Sequence, residues 1–531
     1  MTCFNRREFV CAGLGAVGIL ASPSRAIVAL AAARSAANPV VRTHLGDVRG
    51  FIENGITVFR GLRYGADTRE RRFMPPVSPG RWESVAEAFE YGPSSPQDAG
   101  DERISEDCLF LNVWAPGVDP GARRPVMFYV HGGAYSHGSG SGPLYDGSAL
   151  ARRGDVVVVT VNHRLNAFGY LYLQRLGGAE FADSGNVGQL DLVLALDWVR
   201  RNIANFGGDP QRVLAFGQSG GGAKIATMMA MPAARILFQR VATMSGQQVT
   251  VSGPANATLR AKTFMNALGI AANDVSMLQS MPADKLLAGL AVADPVLPYG
   301  SVYFGPVLDM RSLDRHPFYP DAPAQSAHIP MIIGNTRDET RAFLRDPHYH
   351  DLEWDELPDL LIPNMRVDIE PRFVIDEYRK LYPGYSASEV FFAATTAARS
   401  WRGAIIEAEA RARQPGADTF VYQLDWPSPV EPLLGAPHTL DIPLVFGNLG
   451  ASGSITGTGD DAQKISAMMS DAYIAMARDG TPWSRQLPEW IPYTLPNRET
   501  LIITIPPHME DDPRGAERRI FERVPYIQPG S

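Results

Sequence analysis

Few folds accommodate the turn that this chain must make at Gly217-Gln218-Ser219-Gly220-Gly221. An apolar run, Val213 to Phe216, leads into it, and an alanine- and methionine-rich stretch of helical composition, Ala223 to Met231, leads out. A strand that reverses into a helix around one serine turns so sharply that the flanking residues need small or absent side chains, which Gly217, Gly220 and Gly221 supply. A Gly-x-Ser-x-Gly pentapeptide alone carries little weight in a chain with 50 glycines. Between a strand and a helix it predicts a nucleophile elbow, with Ser219 presented at the carboxyl end of a sheet strand.

The surrounding pattern is that of an α/β fold. Val126 to Val130 and Val156 to Val161 read as strands buried on both faces, and Asp191 to Phe206 has helical periodicity. Met331 to Ile333 and Thr419 to Leu424 read as further strands, each ending where polar residues cluster. No internal repeat, heptad stretch or long polar linker divides the 531 residues, so residues 38–531 are expected to form one catalytic domain around a mostly parallel sheet covered by helices. With 45% hydrophobic and 20% charged residues the chain has the composition to bury a large core. A net charge of -8, with no basic cluster interleaved with aromatics, argues against a nucleic-acid partner.

The N-terminus differs in kind. Asn5-Arg6-Arg7-Glu8-Phe9 precedes a short apolar run, Val10 to Ala21, which predicts a twin-arginine export signal over residues 1–37 and a periplasmic or secreted protein. The run is too short to span a bilayer, so no membrane span is expected in the mature chain, which would begin between Ile27 and Val40. Cys3 and Cys11 leave with the signal. Cys108 alone remains, expected as a buried small apolar residue that forms no internal disulfide. The histidines are scattered and no Cys/His spacing suits a metal, so neither metal nor cofactor is expected.

Two further places carry chemistry. His131-Gly132-Gly133-Ala134-Tyr135 follows the Val126 to Val130 strand, and its glycines can turn backbone N–H groups inward. With the N–H of Gly220 at a helix start, Gly132 and Gly133 are expected to hold the oxyanion of a tetrahedral intermediate, although a Gly-Gly pair by itself also suits a tight turn. An acid and a histidine should follow the serine in chain order. Among His316, His328, His348, His350, His438 and His508, His438 sits in a loop after the Thr419 to Leu424 strand. Glu339 and Asp338 both follow the Met331 to Ile333 strand, and the residues alone do not separate them.

Several long motifs occur in a characteristic order. They are Ser105-Glu106-Asp107-Cys108-Leu109-Phe110-Leu111-Asn112-Val113, His131-Gly132-Gly133, Asn162-His163-Arg164-Leu165 and Gly185-Asn186-Val187-Gly188-Gln189-Leu190-Asp191, followed by Asn202 to Pro210 and the elbow. On these the mature chain resembles the type-B carboxylesterases, a family of the α/β-hydrolase fold that also contains cholinesterases and some fungal lipases. The resemblance implies a serine carboxylesterase acting on a small-molecule ester through Ser219, Glu339 and His438, and selects Glu339 over Asp338. It also implies a buried Arg164–Asp191 ion pair and a supporting Ser245. Gln218 stands where many relatives have glutamate and Gly220 where they have alanine, and the family's disulfide partner of Cys108 is replaced by serine within Pro93 to Gln97. The segment Gln97 to Ser105 is short, polar and without tryptophan, which disfavours choline esters and an apolar lid. A lipase acting at an interface and a non-catalytic binding protein on the same fold are the alternative readings.

Overall fold

A computed structural model describes residues 38–98, 103–297 and 300–531; the expected signal segment, residues 1–37, lies outside the described residues. Three short strands, β1 (Val40–Arg42), β2 (Asp47–Arg49) and β5 (Ala86–Glu87), form a small sheet. The large sheet begins with β3 (Phe51–Glu53), β4 (Ile56–Arg63), β6 (Phe110–Ala115), β7 (Arg124–Val130), β8 (Val157–Val161) and β9 (Gly208–Gln218). It continues with β10 (Arg240–Met244), β11 (Met331–Thr336), β12 (Thr419–Leu424), β13 (Glu499–Ile503) and β14 (His508–Asp511). Their spatial order is β14-β13-β12-β11-β10-β9-β7-β8-β6-β4-β3. From β8 to β13 every neighbour is parallel, and antiparallel pairs close both edges.

The apolar runs of the central strands are continuous because both faces are covered. Successive side chains of a strand point to opposite faces. Val126, Phe128 and Val130 of β7 join one core with Val213 and Ala215 of β9. Met127, Tyr129, Leu214 and Phe216, the alternate residues of the same strands, join a second core on the other face. The strand expected at Met331 to Ile333 runs on to Thr336, and the helix expected from Asp191 begins earlier, at Val187, and gives way to a 3-10 turn at Ile203–Phe206. The Gly185 to Gly188 stretch hid that start, since two glycines dilute the helical signal.

The Arg164–Asp191 pair lies in this frame just ahead of the elbow. Asp191 is wholly buried and Arg164 nearly so. One carboxylate oxygen accepts from the Arg164 backbone N–H and Nε, both at 2.9 Å, and the other from Nη2 at 2.7 Å. Arg164 Nη1 donates onward to the Met74 carbonyl at 2.8 Å, so one guanidinium ties three segments. Cys108 is fully buried and free, and burial pushes its thiol far up. Removing one member of a buried ion pair strands the other charge, so Asp191→Asn is expected to cost about 3–5 kcal/mol. Guanidinium denaturation of both proteins checks this, and a loss below about 1 kcal/mol would show that the pair does not tie the frame.

Candidate active site

The elbow forms where β9 ends at Gln218 and a helix, Gly220–Ala230, begins. Ser219 joins them at φ 56°, ψ -124°, a strained conformation for a residue with a Cβ. Two glycines make that turn affordable. A Cβ on Gly221 would lie 1.9 Å from the Val130 carbonyl oxygen, and one on Gly220 2.1 Å from that of Ala134. The Ser219 N–H donates to the Met244 carbonyl at 2.7 Å, which anchors the elbow to β10.

His438 arrives on the loop after β12, and Glu339 on a 3-10 turn after β11. Asp338 and Ala436 clip these loops together: the Asp338 N–H donates to the Ala436 carbonyl at 2.9 Å, and the Ala436 N–H to the Asp338 carboxylate at 3.0 Å. The neighbouring Glu339 carboxylate is wholly buried and meets His438 Nδ1 at 2.5 Å through Oε2. Its Oε1 accepts from the Thr336 N–H at 2.9 Å and Asn335 Nδ2 at 3.2 Å. Burial alone would raise this carboxyl's pKa; the facing imidazole and these donors outweigh it and hold the group below its ordinary value. The Ser245 hydroxyl leans toward the same carboxylate and adds to that effect, though short of hydrogen-bond geometry. The geometry thus separates the two acids: Glu339 faces the histidine, and Asp338 holds the loops.

With Nδ1 donating to Glu339, Nε2 is left as an acceptor. In this state the Gln218 amide nitrogen fills it at 3.0 Å, and no hydrogen bond joins Ser219 Oγ to His438 among the described residues. Both line one cavity of about 120 Å³ with Ala134 and Gly220.

The oxyanion loop is turned by Gly133 at φ 83° and Ala134 at φ 53°. Gly132 packs on the elbow, where an added Cβ would stand 3.3 Å from that of Ser219. No backbone carbonyl among the described residues takes the N–H of Gly133 or Ala134. The Gly220 N–H is one of the free donors that open any helix. Ala134 was missed in the sequence because a residue with a Cβ gives no sign of adopting positive φ. Behind the loop, Lys224 donates to the carbonyls of Ala134 at 2.7 Å and His131 at 3.4 Å. Since C=O and N–H of a trans peptide are antiparallel, holding these carbonyls turns the N–H groups of Tyr135 and Gly132 away from the lysine. Burial pulls the Lys224 ammonium down to about 7. Burial, and then Lys224 itself, bring His131 to about 3, so its ring stays neutral.

Segments far apart in the chain also reach the cavity. Tyr303 lines it, whereas Tyr299 lies outside the described residues; Arg399 and Ser400 come from a π-helical turn, Ala397–Trp401, and Tyr526 and Gln528 from the C-terminal segment. Phe343 packs against the His438 ring at 4.7 Å between centroids. Their separation in the chain left no motif to find them by.

A family model described as "Carboxylesterase family" matches residues 37–521. The para-nitrobenzyl esterase of Bacillus subtilis is 36% identical over 499 residues, covering 90% of this chain and 98% of that protein. The phenmedipham hydrolase of Pseudarthrobacter oxydans is 32% identical, covering 88% and 95%. A crystal structure of a Geobacillus stearothermophilus carboxylesterase superposes with a TM-score of 0.82 at 38% identity, over 91% of this chain and 99% of that one.

Glu339→Gln keeps the shape but removes the acceptor that fixes the Nδ1–H tautomer, and turnover is expected to fall by about 10⁴-fold. Steady-state kinetics on an activated ester checks this; a fall of less than about tenfold would show that the pair does not set the tautomer. A second expectation concerns Glu407, whose carboxyl Oε1 accepts from the Gln248 N–H at 2.6 Å behind the cavity wall. Burial raises it to about 8, so the folded state keeps a proton that the unfolded state sheds from about 4.5 upward. Its contribution is therefore fully present below the unfolded value and is lost as pH rises to about 8. Glu407→Gln should remove that slope, flattening the fall in unfolding free energy across this window, and identical slopes in both proteins would contradict it.

Proposed function

The chain belongs to the carboxylesterase family, and from that premise we propose that it hydrolyses carboxylic esters through an acyl-enzyme on Ser219. The observation that carries the reading is the wholly buried Glu339 carboxylate on His438 Nδ1, beside a serine held in a strained elbow over the same cavity. The Gln218 amide gives way, and His438 Nε2 takes the Ser219 proton as Oγ attacks the ester carbonyl. The oxyanion that forms accepts from the Gly220 N–H and from the loop of Gly132, Gly133 and Ala134. His438, now cationic beside Glu339, protonates the departing alcohol oxygen as its bond to carbon breaks. Water then enters, loses a proton to the same Nε2 and attacks the acyl carbonyl; collapse releases the acid and returns the proton to Ser219. No cofactor enters the sequence of steps.

The family match does not favour an interfacial lipase or a non-catalytic binder. A cavity of about 120 Å³ supports a preference for compact esters, since pockets for drug-sized ligands measure about 300–1,000 Å³. The Arg6-Arg7 pair and the apolar run after it support export by the twin-arginine route, with action outside the cytoplasm.

Labelling with a fluorophosphonate probe, together with hydrolysis of p-nitrophenyl esters from acetate to palmitate, tests the reading. Ser219→Ala should abolish labelling and lower turnover by about five to six orders of magnitude, with short chains fastest in the native enzyme. Labelling and turnover that survive in a folded Ser219→Ala protein would refute the assignment.

A further inference from the structure

The catalytic cavity holds one guanidinium that the mechanism leaves unused. Arg399 sits on the π-helical turn Ala397–Trp401, an irregularity common at functional sites. Its backbone carbonyl accepts from the Tyr526 hydroxyl at 3.1 Å, fixing the turn against the C-terminal segment. Its guanidinium carbon lies 4.8 Å from the centre of the Phe343 ring, and that ring lies 4.7 Å from the ring of His438. No more than these two contacts end to end therefore separates the guanidinium from the imidazole.

The fully buried arginines among the described residues are paired. Arg72 meets Glu106, Arg164 meets Asp191, Arg260 meets Asp294, Arg518 meets Asp512, and Arg411 donates to three backbone carbonyls. Arg399 is half-buried and, like the half-buried Arg366 and Arg402, makes no ion pair among the described residues, but of the three it alone lines the catalytic cavity. Among the described residues it has no carboxylate within 4.0 Å and no acceptor for any of its five N–H donors, and an aromatic face does not satisfy them. Burial, and then the neighbouring Arg366 cation, push it down to about 10, which still leaves it charged at neutral pH. Among the described residues lining the cavity none is acidic, and Arg399 alone carries a full charge. A half-buried cation repelled by a second cation, with its donors free in a substrate cavity, is a site for an anion.

We propose that Arg399 selects esters bearing a second, anionic group, a carboxylate on either the acyl or the alcohol part, which it binds while Ser219 attacks the ester. This rests on the hydrolase reading above. Half-esters of dicarboxylic acids and esters of hydroxybenzoates are the two sources of such a group.

Two pairs of probes separate the sources: mono-p-nitrophenyl adipate with its methyl ester, and p-acetoxybenzoate with its methyl ester. In at least one pair the anionic member should have the higher kcat/KM by about tenfold or more, a preference that shrinks with added salt. Arg399→Gln should collapse that ratio toward one. Because both members are measured on the same preparation, partial misfolding of the variant cancels from the ratio, and the salt dependence of the native enzyme is a readout independent of the variant. Neutral esters turned over with no preference in either pair would overturn the inference, as would a preference that Arg399→Gln leaves intact. Failure of folded native protein to hydrolyse any of the four esters would overturn the hydrolase reading along with it.

Discussion

The site depends on a backbone contact that admits no side chain. At the ends of β7 and β9 the chain passes so close to itself that a Cβ on Gly220 or Gly221 would strike the carbonyl oxygen of Ala134 or Val130. These strands are parallel neighbours, with Val130 opposite Gly217, so the elbow and the oxyanion loop emerge side by side from the sheet and lock together. Donors that face a developing negative charge stabilise it only if they need not reorganise during reaction. The interlock supplies that rigidity: the Gly220 N–H starts a helix that cannot back away from the loop, and the Ser219 strain is held by β10 on its other side.

Electrostatics then decides which acid serves the histidine. Asp441, three residues after His438, is also wholly buried, and burial, followed by the nearby Glu339 charge, raises it to about 7. It receives one hydrogen bond, from the Tyr422 hydroxyl at 3.0 Å, and its Oδ1 has no partner among the described residues. Glu339 receives a backbone N–H, a side-chain amide and the imidazole. Two carboxyl groups in one low-dielectric region do not ionise equally, and the one with more donors keeps the charge. The triad acid is thus set by what surrounds it as much as by what it touches.

What could be read from the chain followed from local rules. The elbow was legible because steric crowding demands glycine at set positions, and the central strands because burial on both faces makes their apolar runs continuous. Thr419 to Leu424 matched residue for residue. The Glu339–Asp338 choice was not legible locally, since both residues follow the same strand and differ only in what the His438 loop presents to them. Nor was the cavity wall. Phe343, Arg399 and Tyr526 meet only through tertiary folding, and the π-helical turn that delivers Arg399 lies within a stretch whose composition is ordinary helix.

Gln218 connects the catalytic and binding halves of the site. Many proteins that this chain resembles carry glutamate immediately before the nucleophile. Such a side chain here would bring a third carboxyl group to an imidazole already faced by Glu339 and close to Asp441. The amide instead donates to Nε2 without adding charge beside the base. Gln218 lies behind the cavity, whose lining among the described residues carries no acid and has Arg399 as its one full cation. A glutamate at this position would repel an approaching carboxylate and offset the Arg399 charge over a distance on which low-dielectric walls screen poorly. The single exchange of an acid for its amide thus suits a base at His438 and an anion site at Arg399 together.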